Sequence, residues 1–415
     1  MSLGCTIDTG YLIPSPTTTF TKVIDKLHYK YVVHLLDQQS DSAQPDHTLM
    51  ERLAFYNSDK YSTAIFSALP RKGTYFTDRQ FPECIRTVLG LPSPLFSSFQ
   101  QQFIGAKDNC IKDPYGIGIA NAICSGDHWT HRHDKLKFTL RDILRTAKHT
   151  VLVEHGSLFN GKVPTHFYHS FLSTNKRLTP DLFIPHFHNV SDWAGEVKIF
   201  NIHSNYKNYI NTYTKLTSKT PRMVDHRGPN DVFSAYIRKA STYDVNIAKL
   251  PEKTPGPFLQ SLHSLHGGHV TPLIGGCFGE CSSTIDSLVK ECALHAAASD
   301  AGLQLTPDTD TSSIFSARNL LLHDFRQVLG CTVLRANIDC KFQRLPFIRS
   351  TQSEASNLVH RTNKVNVTTQ MFDFNRWFQN VGDGSVYDTF YRFLNQGPFS
   401  GGVSLGLGHR DSLPL

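Results

Sequence analysis

Between residues 136 and 147, Leu136, Leu140, Ile143, Leu144 and Ala147 recur at offsets of four, seven, eight and eleven. That spacing lays them along one stripe of a helix. A helix that is apolar on one side only must cover another layer, and short strand candidates follow it closely. Val151-Leu152-Val153 is a compact apolar run, and Asp181 to Ile184 and Glu196 to Ile202 read as two further strands. His269 to Gly275 is a fourth candidate, with Pro272 assigning it to a sheet edge or a bulge. Helices are expected over Asp231 to Leu250, after the capping candidates Ser282, Ser283 and Thr284, and from Ser313 to Leu329. The second of these carries Ile285, Leu288, Val289, Cys292 and Ala296 on one stripe. The order helix, three strands, helix, strand, helix predicts an α/β (α+β) fold: a small mixed sheet flanked by helices.

The rest of the 415 residues divides around this core. Residues 1–45 are Ser-, Thr- and Pro-rich in part, with one apolar run from Tyr29 to Leu36, and are expected to be partly disordered. Residues 46–125 read as a helical, linker-like region. There Leu49, Leu53 and Phe55, then Phe81, Ile85, Val88 and Leu89, fall near helical spacing before Gly90 and Pro92 stop the pattern. Within the stretch from 108 to 130 Gly, Asp and Asn suggest a loop. Residues 126–330 form the core domain, and 331–415 read as a loosely packed tail.

Composition narrows the class. Hydrophobic residues make up 40% and charged residues 19%, a globular balance rather than a disordered one. The formal net charge of +7 is compatible with a nucleic-acid partner without demanding one. Nine cysteines, odd in number and scattered, argue for reduced thiols in an intracellular compartment. The start MSLGCTIDTG has no basic segment followed by an apolar run, so no secretory signal is expected. No uncharged apolar stretch approaches the roughly 18 residues that span a bilayer, so no membrane partner is expected.

The chemistry-bearing residues cluster at two of the strands. Pro180-Asp181 opens one, and Glu196-Val197-Lys198 opens the other. Side chains alternate along a strand, so Glu196 and Lys198 project to one face while Val197 points into the core. Two carboxylates from adjacent strands suit a hard divalent cation such as Mg²⁺ or Mn²⁺, and a nearby lysine can steady a water or a phosphate. Phosphodiester hydrolysis needs that set. A surface aspartate at a turn and an exposed strand ion pair would give the same letters. Upstream, Arg132 and His133 extend the helix stripe backwards to its polar end, where they would point at the sheet edge. Asp134 falls on the opposite face, as expected of an acid favoured by the helix dipole. Glu154, at the end of the first strand, could join the acidic group.

These residues are joined by Thr77-Asp78-Arg-Gln-Phe81, Arg86 to Pro92, Asp113-Pro-Tyr-Gly116, Gly126-Asp-His-Trp129, Tyr236-Ile-Arg-Lys-Ala240 and Gly275 to Glu280. In that order they resemble the C-terminal part of reverse-transcriptase-like polyproteins of non-LTR retrotransposons, specifically their PD-(D/E)XK restriction-like endonuclease region. The resemblance spans about residues 46–330. It implies a DNA endonuclease with Asp181 and Glu196 as metal ligands, Lys198 as the catalytic lysine and His133 beside them. Arg132, Tyr236 and Lys239 would face the nucleic acid. It further implies DNA as partner, RNA or a reverse transcriptase as others, and a nuclear location. The chain departs from the family where a Cys/His zinc knuckle is common. Cys110 and Cys124, with His128 or His131, fall short of a convincing four-ligand zinc site. No Tyr-x-Asp-Asp polymerase box is present. The alternative expectation is a degenerate nuclease fold that only binds nucleic acid or a polymerase.

Overall fold

The computed structural model describes residues 59–106, 110–154, 158–159, 161–167, 178–187, 191–201, 223–252, 254–306 and 309–364. The expectations for residues 1–45, for Leu49, Leu53 and Phe55, and for 365–415 lie outside them.

The stripe that opened the sequence argument forms helix α4 (His128–Thr146), preceded by α1 (Gln80–Leu89), α2 (Pro94–Ser97) and α3 (Ile117–Asn121). All five stripe residues are buried. They cover a four-stranded sheet of order β2 (Leu152–Val153), β3 (Leu182–Phe187), β4 (Ser191–Ile199) and β5 (Thr271–Gly275). The first three strands are antiparallel neighbours, and β4–β5 is parallel. A parallel pair needs a long crossover, here carrying α5 (Met223–Asn246) and α6 (Pro257–His263). Pro272 sits in β5, an edge strand, where a missing N–H is tolerated. The β3–β4 register shifts between Ile184 and Phe187, around Pro185 and the positive-φ His186, so the bulge falls where proline interrupts the ladder.

Alternation sorts the sheet's two faces. Leu182, Ile184, Trp193, Val197 and Leu273 pack on α4, on α7 (Ser283–Asp300) and on α8 (Phe315–Arg344). Phe183, Ala194 and Ile274 pack on Val232, Tyr236 and Ala240 of α5 and on Phe258 and Leu262 of α6. Ser282 supplies the α7 cap, its hydroxyl accepting from the Ile285 amide. Gly90 ends α1 in the left-handed region at φ 68°, and the Leu91 amide bonds back to the Arg86 carbonyl. The architecture is a mixed α/β one, with a small mixed sheet between helical layers.

Several expected boundaries need correction. Strand β4 begins at Ser191, five residues before the expected start, and α5 begins at Met223 rather than Asp231. Helix α8 runs through to Arg344, and Ile348–Arg349 (β6) then pairs with Phe103–Ile104 (β1) before α9 (Gln352–Lys364). Residues 331–344 are therefore a buried half-helix, not the start of a loose tail. Nor do residues 59–125 behave as a linker. Ile65, Cys84, Val88, Phe96, Ile104 and Ile119 form a third core with Leu334, Ile338 and Phe342 of α8. One compact unit reaches Asn363. The polar side chains of the second half of α8 explain the misreading. Lys341 donates to the Tyr115 carbonyl, Arg344 to those of Ile119 and Ala120, and Asn337 to that of Gly276. Buried polar groups that hold backbone carbonyls look like surface in a hydropathy pattern.

Candidate functional site

The sheet forks where the candidate residues lie. Past the pair Leu182↔Gly195, β3 no longer follows β4, and β4 continues alongside β5 from Gly195 to Ile199. Asp181 stands at this divergence. Its Oδ2 accepts from the Val197 amide at 2.7 Å, so a side chain takes over where the ladder ends. On the other side the Asp181 carbonyl accepts from the Glu154 amide at 3.0 Å. Glu196 follows Gly195 on the sheet face that α5 covers, and its Oε2 accepts from the Tyr236 hydroxyl at 2.7 Å. Val197 between them is a core residue, as alternation requires.

Electrostatics tie the group together. Burial, reinforced by the neighbouring Asp181 charge, raises the Glu196 pKa, while the Tyr236 hydrogen bond and the charges of Lys198 and His133 pull it back. Burial and the Glu196 carboxylate push the Tyr236 phenol well up, so it is a fixed donor. Asp181, Glu196, Lys198 and His133 thus act on one another within one field.

His133 has an informative set of partners. Nε2 lies 3.1 Å from both Asp181 Oδ2 and the Val197 carbonyl, and Nδ1 lies 3.2 Å from Asp134 Oδ1. Every one of these atoms is an oxygen that can accept, a setting that favours the ring with an N–H on both nitrogens. Burial alone lowers its pKa, but the Asp181 bond and charge, with Asp134, hold it above the ordinary value. A ring held in this way fixes Asp181.

Two residues differ from their expected roles. Arg132 is only 7% exposed and donates to Asn201 Oδ1 at 2.5 Å, so it is a buried group rather than one on an open face. Tyr236 faces Glu196 rather than solvent. Lys239 and Arg238, by contrast, are exposed on α5. Asp134 is no mere dipole partner. It bonds His133 and Lys137, which hold its pKa low against burial. Lys137, 2% exposed, bridges Asp134 at 2.7 Å and Glu154 at 2.5 Å. Sequence reasoning missed Lys137. Its signal was the place one turn after His133 and three residues after Asp134 on the same helix.

Among the described residues no group of three or more His, Cys, Asp or Glu side chains gathers to hold a metal ion. A Mg²⁺ site asks for less: one or two carboxylates, with waters and substrate phosphate completing the shell. Asp181 and Glu196 fit that description. Each has one oxygen held by a described hydrogen bond, and their mutual repulsion at a half-buried site is of the kind a divalent cation relieves. No helix of the described residues is long and apolar enough to cross a membrane. Compared with protein-family models, curated proteins and solved structures, the chain finds no match in any of the three.

Proposed function

We propose that the chain is a divalent-metal-dependent DNA endonuclease of the PD-(D/E)XK kind, related to the nucleases that nick retrotransposon target sites. The observation that carries the reading is the sheet fork, with Asp181 bonded to the Val197 amide and Glu196 feeling the charges of Asp181 and Lys198. Asp181 and Glu196 would hold Mg²⁺ or Mn²⁺. The bound metal would neutralise phosphate charge and acidify a water. Lys198 shares the face of Glu196 and offers a cation to the attacking water or the scissile phosphate. Tyr236 orients Glu196, and His133 holds Asp181 in place and adds positive charge. Exposed Arg238 and Lys239 suit the strand backbone, which is gripped by cations without regard to sequence.

Nicking of supercoiled plasmid is expected to need Mg²⁺ or Mn²⁺. In Glu196→Ala it should fall at least a hundredfold while the melting curve stays cooperative; undiminished nicking in that folded variant rejects the reading. A second reading has its own support. Where the resembled family carries a zinc knuckle, Cys110 and Cys124 with His128 or His131 fall short of a four-ligand set, as in a degenerate fold that binds nucleic acid or a polymerase without cutting. Tight DNA or RNA binding, with no cleavage in any divalent metal, would favour it.

A further inference from the structure

A cavity of about 30 Å³ lies apart from the candidate carboxylates, which do not line it. It is lined by Arg86, Arg132, Lys341, Asn201, Asn337 and Glu83, among others. At roughly 10–15 Å³ per water, it has room for two or three waters, close to the size of one tetrahedral oxyanion.

Three cations meet there, and their compensation is uneven. Arg86 is paired with Glu83 at 2.7 Å. Lys341 is buried, donates to the Tyr115 carbonyl at 3.0 Å, and feels the Asp113 charge. Asp113 spends its own oxygens on the amides of Tyr115, Ile117 and Gly118. Arg132 is the exception. Its partners among the described residues are the amide oxygens of Asn201 at 2.5 Å and Asn337 at 3.5 Å, and its buried Nε has none. Burial works against its charge most strongly and the like-charged Arg344 adds to that, while among the described residues Cys340 and Cys277 act the other way. A buried guanidinium without an anion is costly. Its planar fork matches phosphate oxygens better than it matches amides.

We propose that this cavity binds a phosphoryl-sized oxyanion through Arg132 and Lys341, either free inorganic phosphate or the terminal phosphate of a nucleic-acid strand. Asn201 and Asn337 orient the guanidinium. The site does not rest on the nuclease reading, and Glu196→Ala should keep it intact.

The test is the unfolding temperature of the full chain titrated with sodium phosphate at fixed ionic strength, with chloride as reference. A saturable rise is expected, roughly 4 °C at a hundredfold excess over Kd. In Arg132→Met the apparent affinity should weaken at least tenfold. The absence of a saturable rise in the wild type overturns the proposal, and so does an undiminished rise in Arg132→Met. If that variant does not fold, Lys341→Met takes its place with the same two outcomes. A 5′-phosphorylated dinucleotide acting at tenfold lower concentration than its hydroxyl-ended counterpart assigns the site to a strand end. Equal action of the two dinucleotides, with phosphate active, assigns it to the free ion.

Discussion

His128 opens α4 and packs edge-on to Phe347, with ring centroids 5.8 Å apart. Burial lowers its pKa to about 4, and the charges of Arg344 and His131 add to the effect. The ring is therefore neutral in the fold, whereas the unfolded chain protonates near 6.5. Stability from this residue is complete above the unfolded value. It drains away as pH falls from about 6.5 and is gone near 4. The ring is only half-buried, so about 1–2 kcal/mol is expected once solvent screening is allowed for. Urea unfolding at pH 7 and pH 5 measures it. His128→Gln should lose less stability across that interval than the wild type, and an equal loss would show that His128 titrates alike in the folded and unfolded chain.

At the scale of elements, Gly330 lets α8 cross the chain at Tyr61, because a Cβ there would run into the Tyr61 backbone carbonyl. Alanine normally gains a helix about 1 kcal/mol over glycine. Here overpacking against backbone, typically about 1–3 kcal/mol, outweighs the gain. Gly330→Ala should thus lower the urea midpoint by roughly 1–2 kcal/mol in stability; a raised midpoint would contradict the close crossing. The elements that were legible in the sequence share one property: their buried faces are apolar. The α4 stripe, the α7 stripe with its cap, and the positions of β2, β3 and β5 all follow from periodicity. The second half of α8 did not, because Thr332, Asn337, Lys341 and Arg344 are buried there and break the apolar stripe. The early start of strand β4 is hidden in the sequence by Gly195, a poor strand former that sits on its core face, where a Cβ would strike the Trp193 ring and Leu273. Within the site, alternation was enough to pair Glu196 with Lys198. The Tyr236–Glu196 and Lys137–Glu154 contacts join separate elements, and no local pattern encodes them.

For the whole molecule, α8 is the element shared by two cores. Its first half packs on the sheet through Phe325, Leu329 and Val333, and its second half closes the cluster around Phe96 and Ile119. A chain ending at residue 330 would lose Leu334, Ile338 and Phe342, each worth roughly 1.5–3 kcal/mol when buried. That sum approaches the whole stability of a typical domain, about 5–15 kcal/mol. Such a truncation should show no cooperative melt by circular dichroism, whereas a chain ending at residue 364 should keep it. Cooperative melting of the shorter chain would mean that the core around the sheet folds alone.

The carboxylate at the fork has a practical consequence for anyone dissecting this chain. Asp181 is at once the last rung of a ladder and half of a charge pair, so deleting it confuses architecture with chemistry. Asparagine separates the two: its amide oxygen can still receive the Val197 N–H, yet it brings no negative charge. Asp181→Asn should melt within about 1 kcal/mol of the wild type and still lose divalent-metal binding, measured by Mn²⁺ titration. Were it to bind Mn²⁺ as the wild type does, the shape of this residue would matter and its ionisation would not.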